Sequence, residues 1–108
     1  MAEVRGSNPL RSTKYLISKI MDGFVYIIYS EKNDKYYVGS TINIDNRLNE
    51  HNSGRNKSTR SGIPWEIKFY FRCGAVRTAR QIEHKIKKKK SRKILEQIIK
   101  DQEIKMNL

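Results

Sequence analysis

Residues 24–29 are aromatic or β-branched without a polar break, the pattern of a strand buried on both faces. Glu31-Lys32-Asn33-Asp34 follows as a turn, and residues 35–40 read as the return strand of a hairpin. Residues 45–51 predict the body of a short helix with Leu48 inward. Asn52-Ser53-Gly54 stops it, since Gly and Asn tolerate the left-handed backbone that ends helices. A polar loop over 53–64 closes at Pro64. Trp65, Ile67, Phe69 and Phe71 then alternate with Glu66, Lys68 and Tyr70, predicting a strand with one packed and one polar face. Thr78 is placed to cap a helix beginning near Ala79, with Ala79, Ile82 and Ile86 at helical spacing. A last helix over 92–103 turns Ile94, Leu95, Ile98 and Ile99 inward. No segment repeats. The expected fold is α+β: a small three-stranded antiparallel sheet flanked by helices, in one domain over 21–108.

The first twenty residues do not share this order. Gly6, Ser7, Asn8, Pro9, Ser12 and Thr13 break any periodicity, and a mobile tail is expected, with a helical turn near 15–20. Arg5-Gly6-Ser7-Asn8-Pro9-Leu10 can be encoded by AGG GGT TCG AAT CCC CTC, a hairpin carrying the loop of a tRNA T-arm. Continued through Arg11-Ser12-Thr13, the strand can end in CCA. On this reading residues 1–20 translate the end of a neighbouring tRNA gene, and the working protein starts at Met21.

Charge narrows the class of partner. The 108 residues hold 23 Lys plus Arg against 11 Asp plus Glu, a net charge of +12. That excess favours a polyanion: nucleic acid first, an anionic membrane surface second. Ribosome association and heparin-like binding are the plainer alternatives. The tail holds four of the basic residues and one acid, so a chain without it keeps a net charge of +9. Cys73 is the single cysteine, which excludes an internal disulfide and a cysteine-held zinc, and fits a reducing cytosol. A small buried thiol at a strand end is its expected role. No apolar run is long enough to cross a bilayer, and the first twenty residues lack the apolar segment of a signal peptide.

Five side chains carry candidate chemistry. Arg47 and His51 stand four apart and share one face of a helix, where Arg47 can hold a phosphate with its planar fork and His51 can orient a reacting oxygen. The pattern alone equally describes a solvated basic face ending in a capping histidine. Glu83 is the one acid between Arg77 and Lys90. It can hold one divalent cation, Mg2+ or Mn2+, with water and phosphate completing the shell, or simply pair with Arg80 or Lys87. Tyr26 and Tyr37 lie in the two hairpin strands. About one phenol in a thousand is ionised at pH 7, so either tyrosine needs a nearby cation to serve as a base. Otherwise both pack at a rim, the role expected of Tyr29, Tyr36 and Tyr70.

The order of these residues resembles the GIY-YIG nuclease family. Phe24-Val25-Tyr26 stands where the family has Gly-Ile-Tyr, and Tyr37-Val38-Gly39 where it has Tyr-Ile-Gly. The match runs on through Ser40-Thr41, Arg47-Leu48, His51-Asn52-Ser53-Gly54, Thr59, Pro64-Trp65 and Glu83. It looks most like the short stand-alone bacterial members and the N-terminal domain of excision-repair nucleases. The resemblance implies a metal-dependent endonuclease hydrolysing DNA in repair or processing, or, alternatively, a non-catalytic nucleic-acid-binding module on the same fold. It implies that Glu83 holds the metal, that Arg47 stabilises charge on the phosphate, and that His51, Tyr26 and Tyr37 position or deprotonate water. Which tyrosine is the base stays open. Gly39 would let the backbone turn tightly beside the site. Arg55, Lys57 and Arg60 in the loop, and Lys85, Lys87, Lys88, Lys89 and Lys90, would bind phosphates without reading bases. RNA and a specificity-supplying partner protein are further possible partners. Two positions depart from the family pattern: Phe24 replaces its glycine, and no asparagine follows Glu83 before Asn107.

Overall fold

The computed structural model describes residues 21–105. The tail expected over 1–20 and the departure noted at Asn107 lie outside the described residues. Three strands, β1 (Phe24–Ser30), β2 (Lys35–Thr41) and β3 (Trp65–Arg72), and three helices, α1 (Ile44–Asn52), α2 (Val76–Lys89) and α3 (Arg92–Asp101), follow one another as β1-β2-α1-β3-α2-α3, with a 3-10 turn at Arg60–Gly62. The sheet is antiparallel in the order β2-β1-β3. The fold is therefore the α+β arrangement expected.

The central position of β1 explains its composition. Val25, Tyr26, Ile27 and Ile28 are all buried, because helices or loops cover both faces of the middle strand. Val25 and Ile27, with Val38, meet Ala79 and Ile86 of α2 and Ile98 of α3 in one core. Tyr26 and Ile28 face the other way, onto Trp65, Ile44, Leu48 and Ile63. The hairpin turn is fastened to α3: Arg92 donates to the Asp34 carbonyl at 2.8 Å and to its carboxylate at 2.7 Å, which also accepts from the Tyr29 hydroxyl.

β3 departs from strict alternation. Phe69 pairs with Ile27 and Ile67 with Ile28, so Lys68 is an extra residue with no partner across the strand. One added residue reverses which side the following side chains face. Trp65 and Ile67 join the core around Tyr26, whereas Phe69 joins the core under α2 and α3. Phe71, expected to pack, is 46% exposed, and Tyr70, expected at a rim, is 60% exposed.

α2 also begins earlier than Thr78 suggests. Its first residue is Val76, preceded by Ala75 in an extended conformation without a side-chain cap. The main chain supplies the missing acceptor, as the Val76 amide donates to the Met21 carbonyl at 3.1 Å. Thr78 consequently lies inside the helix. The other two starts follow the usual side-chain rule: Asn43 caps α1 and Ser91 caps α3. α3 ends two residues short of the expected Glu103, where Gln102 takes a left-handed conformation.

Candidate active site

The site grows from a close approach in the hairpin. Gly39 lies opposite Tyr26 across the β1–β2 pair, and a Cβ at Gly39 would run into the Tyr26 hydroxyl and ring. The glycine thus makes room for an aromatic ring laid over the strand, and its missing side chain matters more than its backbone freedom. With that space open, the Tyr26 hydroxyl reaches His51 Nε2 at 2.9 Å.

His51 is fully buried, at 0% exposure, which excludes the solvated capping histidine. It stands in the last turn of α1, and its Nδ1 lies 2.8 Å from the Thr59 hydroxyl. Thr59 in turn donates to the Asn56 carbonyl at 3.4 Å. A hydroxyl has one proton, so Thr59 accepts from Nδ1–H and leaves the Nε2 lone pair to accept from Tyr26. Burial, followed by the charge of Arg47, lowers the His51 pKa below its ordinary value of 6.5 and keeps the ring neutral. Burial also pushes the Tyr26 phenol well above its ordinary range, with Arg47 opposing the shift. The two groups therefore form a neutral pair at pH 7, with the proton on the phenol.

Arg47 lies near enough to influence both. Its Nη1 pairs with Glu50 at 3.1 Å, yet its Nε is buried without a hydrogen-bond partner among the described residues. A native structure leaves few buried donors unsatisfied, and this one stands beside the paired Tyr26 and His51.

Tyr37 links this cluster to a second. Its ring meets His51 edge-on at 4.9 Å and Trp65 at 6.4 Å. On the other side, Lys87 Nζ lies 5.5 Å from the Tyr37 ring centre and 2.6 Å from Glu83 Oε2. Glu83 Oε1 accepts from the Ser40 hydroxyl at 2.5 Å. Ser40 and Tyr37 belong to β2, the edge strand, so residues on the two faces of the sheet meet around its open edge. The carboxylate charge reaches across to Tyr26, where it opposes ionisation of the phenol. The expected pairing of Glu83 with Lys87 is present, and it forms one side of the cluster.

The loop after α1 is built to hold this cluster. Gly54 takes a left-handed φ of 83° and turns the chain out of the helix. Asn52 accepts from the Trp65 amide at 2.6 Å and donates to the Trp65 carbonyl at 3.1 Å, clamping the end of α1 to the start of β3. Trp65 Nε1 donates to the Thr59 carbonyl at 2.7 Å. Thr59 is 1% exposed, so the loop reaches inward at the residue that orients His51. Ser40, Asn52 and Thr59 all lie in motif-like stretches of the sequence, but nothing in local periodicity assigns them these contacts.

The basic residues divide. Arg55 and Lys57 are exposed on the loop, and Arg60 bonds the Gly54 carbonyl through Nε. On α2, Lys87 joins Glu83, Lys90 ends the helix, and Lys88 and Lys89 are exposed. Lys85 instead lines a separate groove with Arg77, Arg80 and His84. The stretch from Lys85 to Lys90 is thus shared between two surfaces.

The family model of the GIY-YIG catalytic domain matches residues 22–100, most of the chain. The chain belongs to the GIY-YIG family. No curated protein and no solved structure matches it. A GIY-YIG catalytic domain is a nuclease domain, and such nucleases typically use divalent metal ions. Among the described residues no group of three or more His, Cys, Asp or Glu is arranged to hold an ion. Glu83 is a single carboxylate beside the strand edge whose oxygens are bonded to Ser40 and Lys87, and an ion of the Mg2+ type needs few protein oxygens because it keeps several waters and takes others from a phosphate. No helix among the described residues is long and apolar enough to cross a membrane.

Proposed function

We propose that this GIY-YIG domain is an endonuclease that hydrolyses phosphodiester bonds in DNA with one divalent cation, in repair or processing of branched or damaged strands. The observation that carries the reading is the buried Tyr26–His51–Thr59 chain of hydrogen bonds beside a lone carboxylate. Glu83 would hold the ion, which when bound would supply positive charge to the phosphate oxygens.

The protein side of the reaction follows from the protonation states. Tyr26 is a poor free base, because burial disfavours its phenolate. Its own proton has a destination in the Nε2 lone pair of His51. As water attacks phosphorus and the bond to the departing sugar oxygen breaks, Tyr26 takes a proton from the water and passes its own to His51, and the departing oxygen takes a proton from solvent. The phenolate need never accumulate. The resulting imidazolium is destabilised by burial and by Arg47, so it gives the proton up readily after the bond is cut. Arg47, whose side chain is 40% exposed, would hold a phosphate oxygen through the exposed end of its guanidinium when DNA binds. Tyr37 packs His51 and Trp65 in place, and this assignment makes Tyr26 the base.

The test is cleavage of flapped, branched and linear DNA in Mg2+ and Mn2+ by the wild type and by Glu83→Gln. Loss of about 100-fold or more in rate, with an unchanged thermal melt, is expected. Equal cutting by the two proteins would remove Glu83 from the chemistry. The second reading, a non-catalytic binding module, is favoured by one observation: both Glu83 oxygens already have protein partners, Ser40 and Lys87. Salt-sensitive binding with no cleavage in either metal would establish it.

A further inference from the structure

Beyond the five residues of the site, a cavity of about 380 Å³ opens between β2, the end of α2 and the start of α3. Its floor is apolar, made by Val38, Ile86 and Leu95, and Tyr37 stands in its wall. The same Tyr37 touches His51, so the cavity begins where the candidate active site ends. Lys35, Lys87, Lys90 and Arg92 surround it, and no carboxylate among the described residues lines it. Lys87 and Arg92 are held by Glu83 and by Asp34 with Glu96, respectively. Lys35 and Lys90 are exposed and have no ion pair among the described residues. Arg92 lies over the Tyr36 ring at 5.0 Å, which places a guanidinium against an aromatic surface within the cavity.

Apolar side chains beside two exposed lysines, Lys35 and Lys90, suit a ligand with a flat apolar body and an anionic end. The volume lies at the low end for ligand pockets, near the size of a single nucleotide. A membrane lipid would need a longer apolar channel, and an acidic peptide would leave the floor unfilled. We infer that this cavity receives one unpaired nucleotide of the DNA strand next to the cut, its base over Val38, Ile86 and Leu95 and its phosphate between Lys35 and Lys90. This rests on the nuclease reading and extends it, since a base must leave its stack before its face can lie on these side chains. A preference for frayed, flapped or branched ends follows from shape alone, without any base-reading side chain.

The test uses the 108-residue protein in EDTA, with dAMP, a single-stranded oligo(dA) and a blunt duplex of equal length as separate probes. NMR shifts of the Val38, Ile86 and Leu95 amides are followed in each titration. The expected result is a shift of all three with dAMP and single strand, much smaller with duplex, and about tenfold weaker dAMP and oligo(dA) binding in Lys90→Glu and in Lys35→Glu. Both side chains are exposed, and an unchanged thermal melt of each variant checks that folding is retained. Equal shifts with duplex, or no shifts at these amides, would overturn the inference while leaving the cleavage result untouched. Shifts at the cavity in a protein that cuts nothing would overturn the nuclease reading and keep the nucleotide site.

Discussion

At the scale of single residues, His51 and Gly39 make the most exposed claims. His51 must be neutral to accept a proton, and its pKa lies below 6.5. Cleavage should therefore rise with pH along an acid limb centred below that value, and a rate–pH profile checks it. The same shift acts on stability. The unfolded ring takes up its proton near pH 6.5 and the folded ring only at lower pH, so stability present at pH 7 is lost as pH falls through that interval. Thr59→Val keeps the shape but leaves Nδ1–H without its acceptor. It should cost about 1–3 kcal/mol in urea denaturation and disturb the acid limb, and Thr59→Ser should restore both. Gly39→Ala places a methyl group in the Tyr26 ring. About 1–3 kcal/mol of destabilisation is expected, with cleavage falling further than the melt alone explains. The order Tyr26, Tyr37, Arg47, His51, Glu83 stood out in the chain only through its resemblance to the family pattern, since each residue alone suits a structural role equally well. Thr59 stood out less: a threonine in a polar loop looks the same whether it is solvated or buried against an imidazole.

At the scale of elements, the joint between α1 and β3 carries the site. Asn52 satisfies both main-chain groups of Trp65, so Asn52→Ala leaves two half-buried partners without a bond. A loss of about 1–3 kcal/mol is expected. Fluorescence of Trp65, the one tryptophan in the chain, reports the loosened joint directly. The helices and strands themselves follow closely from hydrophobic spacing, since α1, α2, α3 and the hairpin each bury the stripe their sequences present. Two departures have plain causes. Spacing alone does not reveal an unpaired Lys68, so β3 reads as one face although it serves two. Thr78 resembles a cap, but the Met21 carbonyl, brought in by the start of the sheet, does that work three residues earlier.

At the scale of the whole molecule, charge and extent give the predictions. Binding to DNA through exposed lysines and arginines releases counterions, so affinity should fall at least about tenfold between roughly 50 and 200 mM salt. Filter binding across that range measures it. Residues 22–100 contain the whole family match, and the bonds joining Tyr26, His51, Thr59, Ser40 and Glu83 lie within them. A protein beginning at Met21 is expected to cut DNA at the rate of the 108-residue form, and a side-by-side cleavage assay decides it. Fold class was legible from a sheet-forming hairpin followed by amphipathic helices. The meeting of two clusters around the β2 edge was not, because it depends on strand order, and strand order is set by packing far apart in sequence.

The extra residue at Lys68 has one more consequence. Because β3 feeds Trp65 and Ile67 to one side and Phe69 to the other, the molecule has two interiors sharing a single sheet. One lies beneath α2 and α3, around Val25 and Ile27. The other surrounds Tyr26 and Trp65, and both contribute to how firmly the chain folds. Substitutions beneath the helices can therefore accumulate against a margin of stability only while Glu83 of α2 stays in place, because its bond to Ser40 ties the helical half to the cluster at the sheet edge.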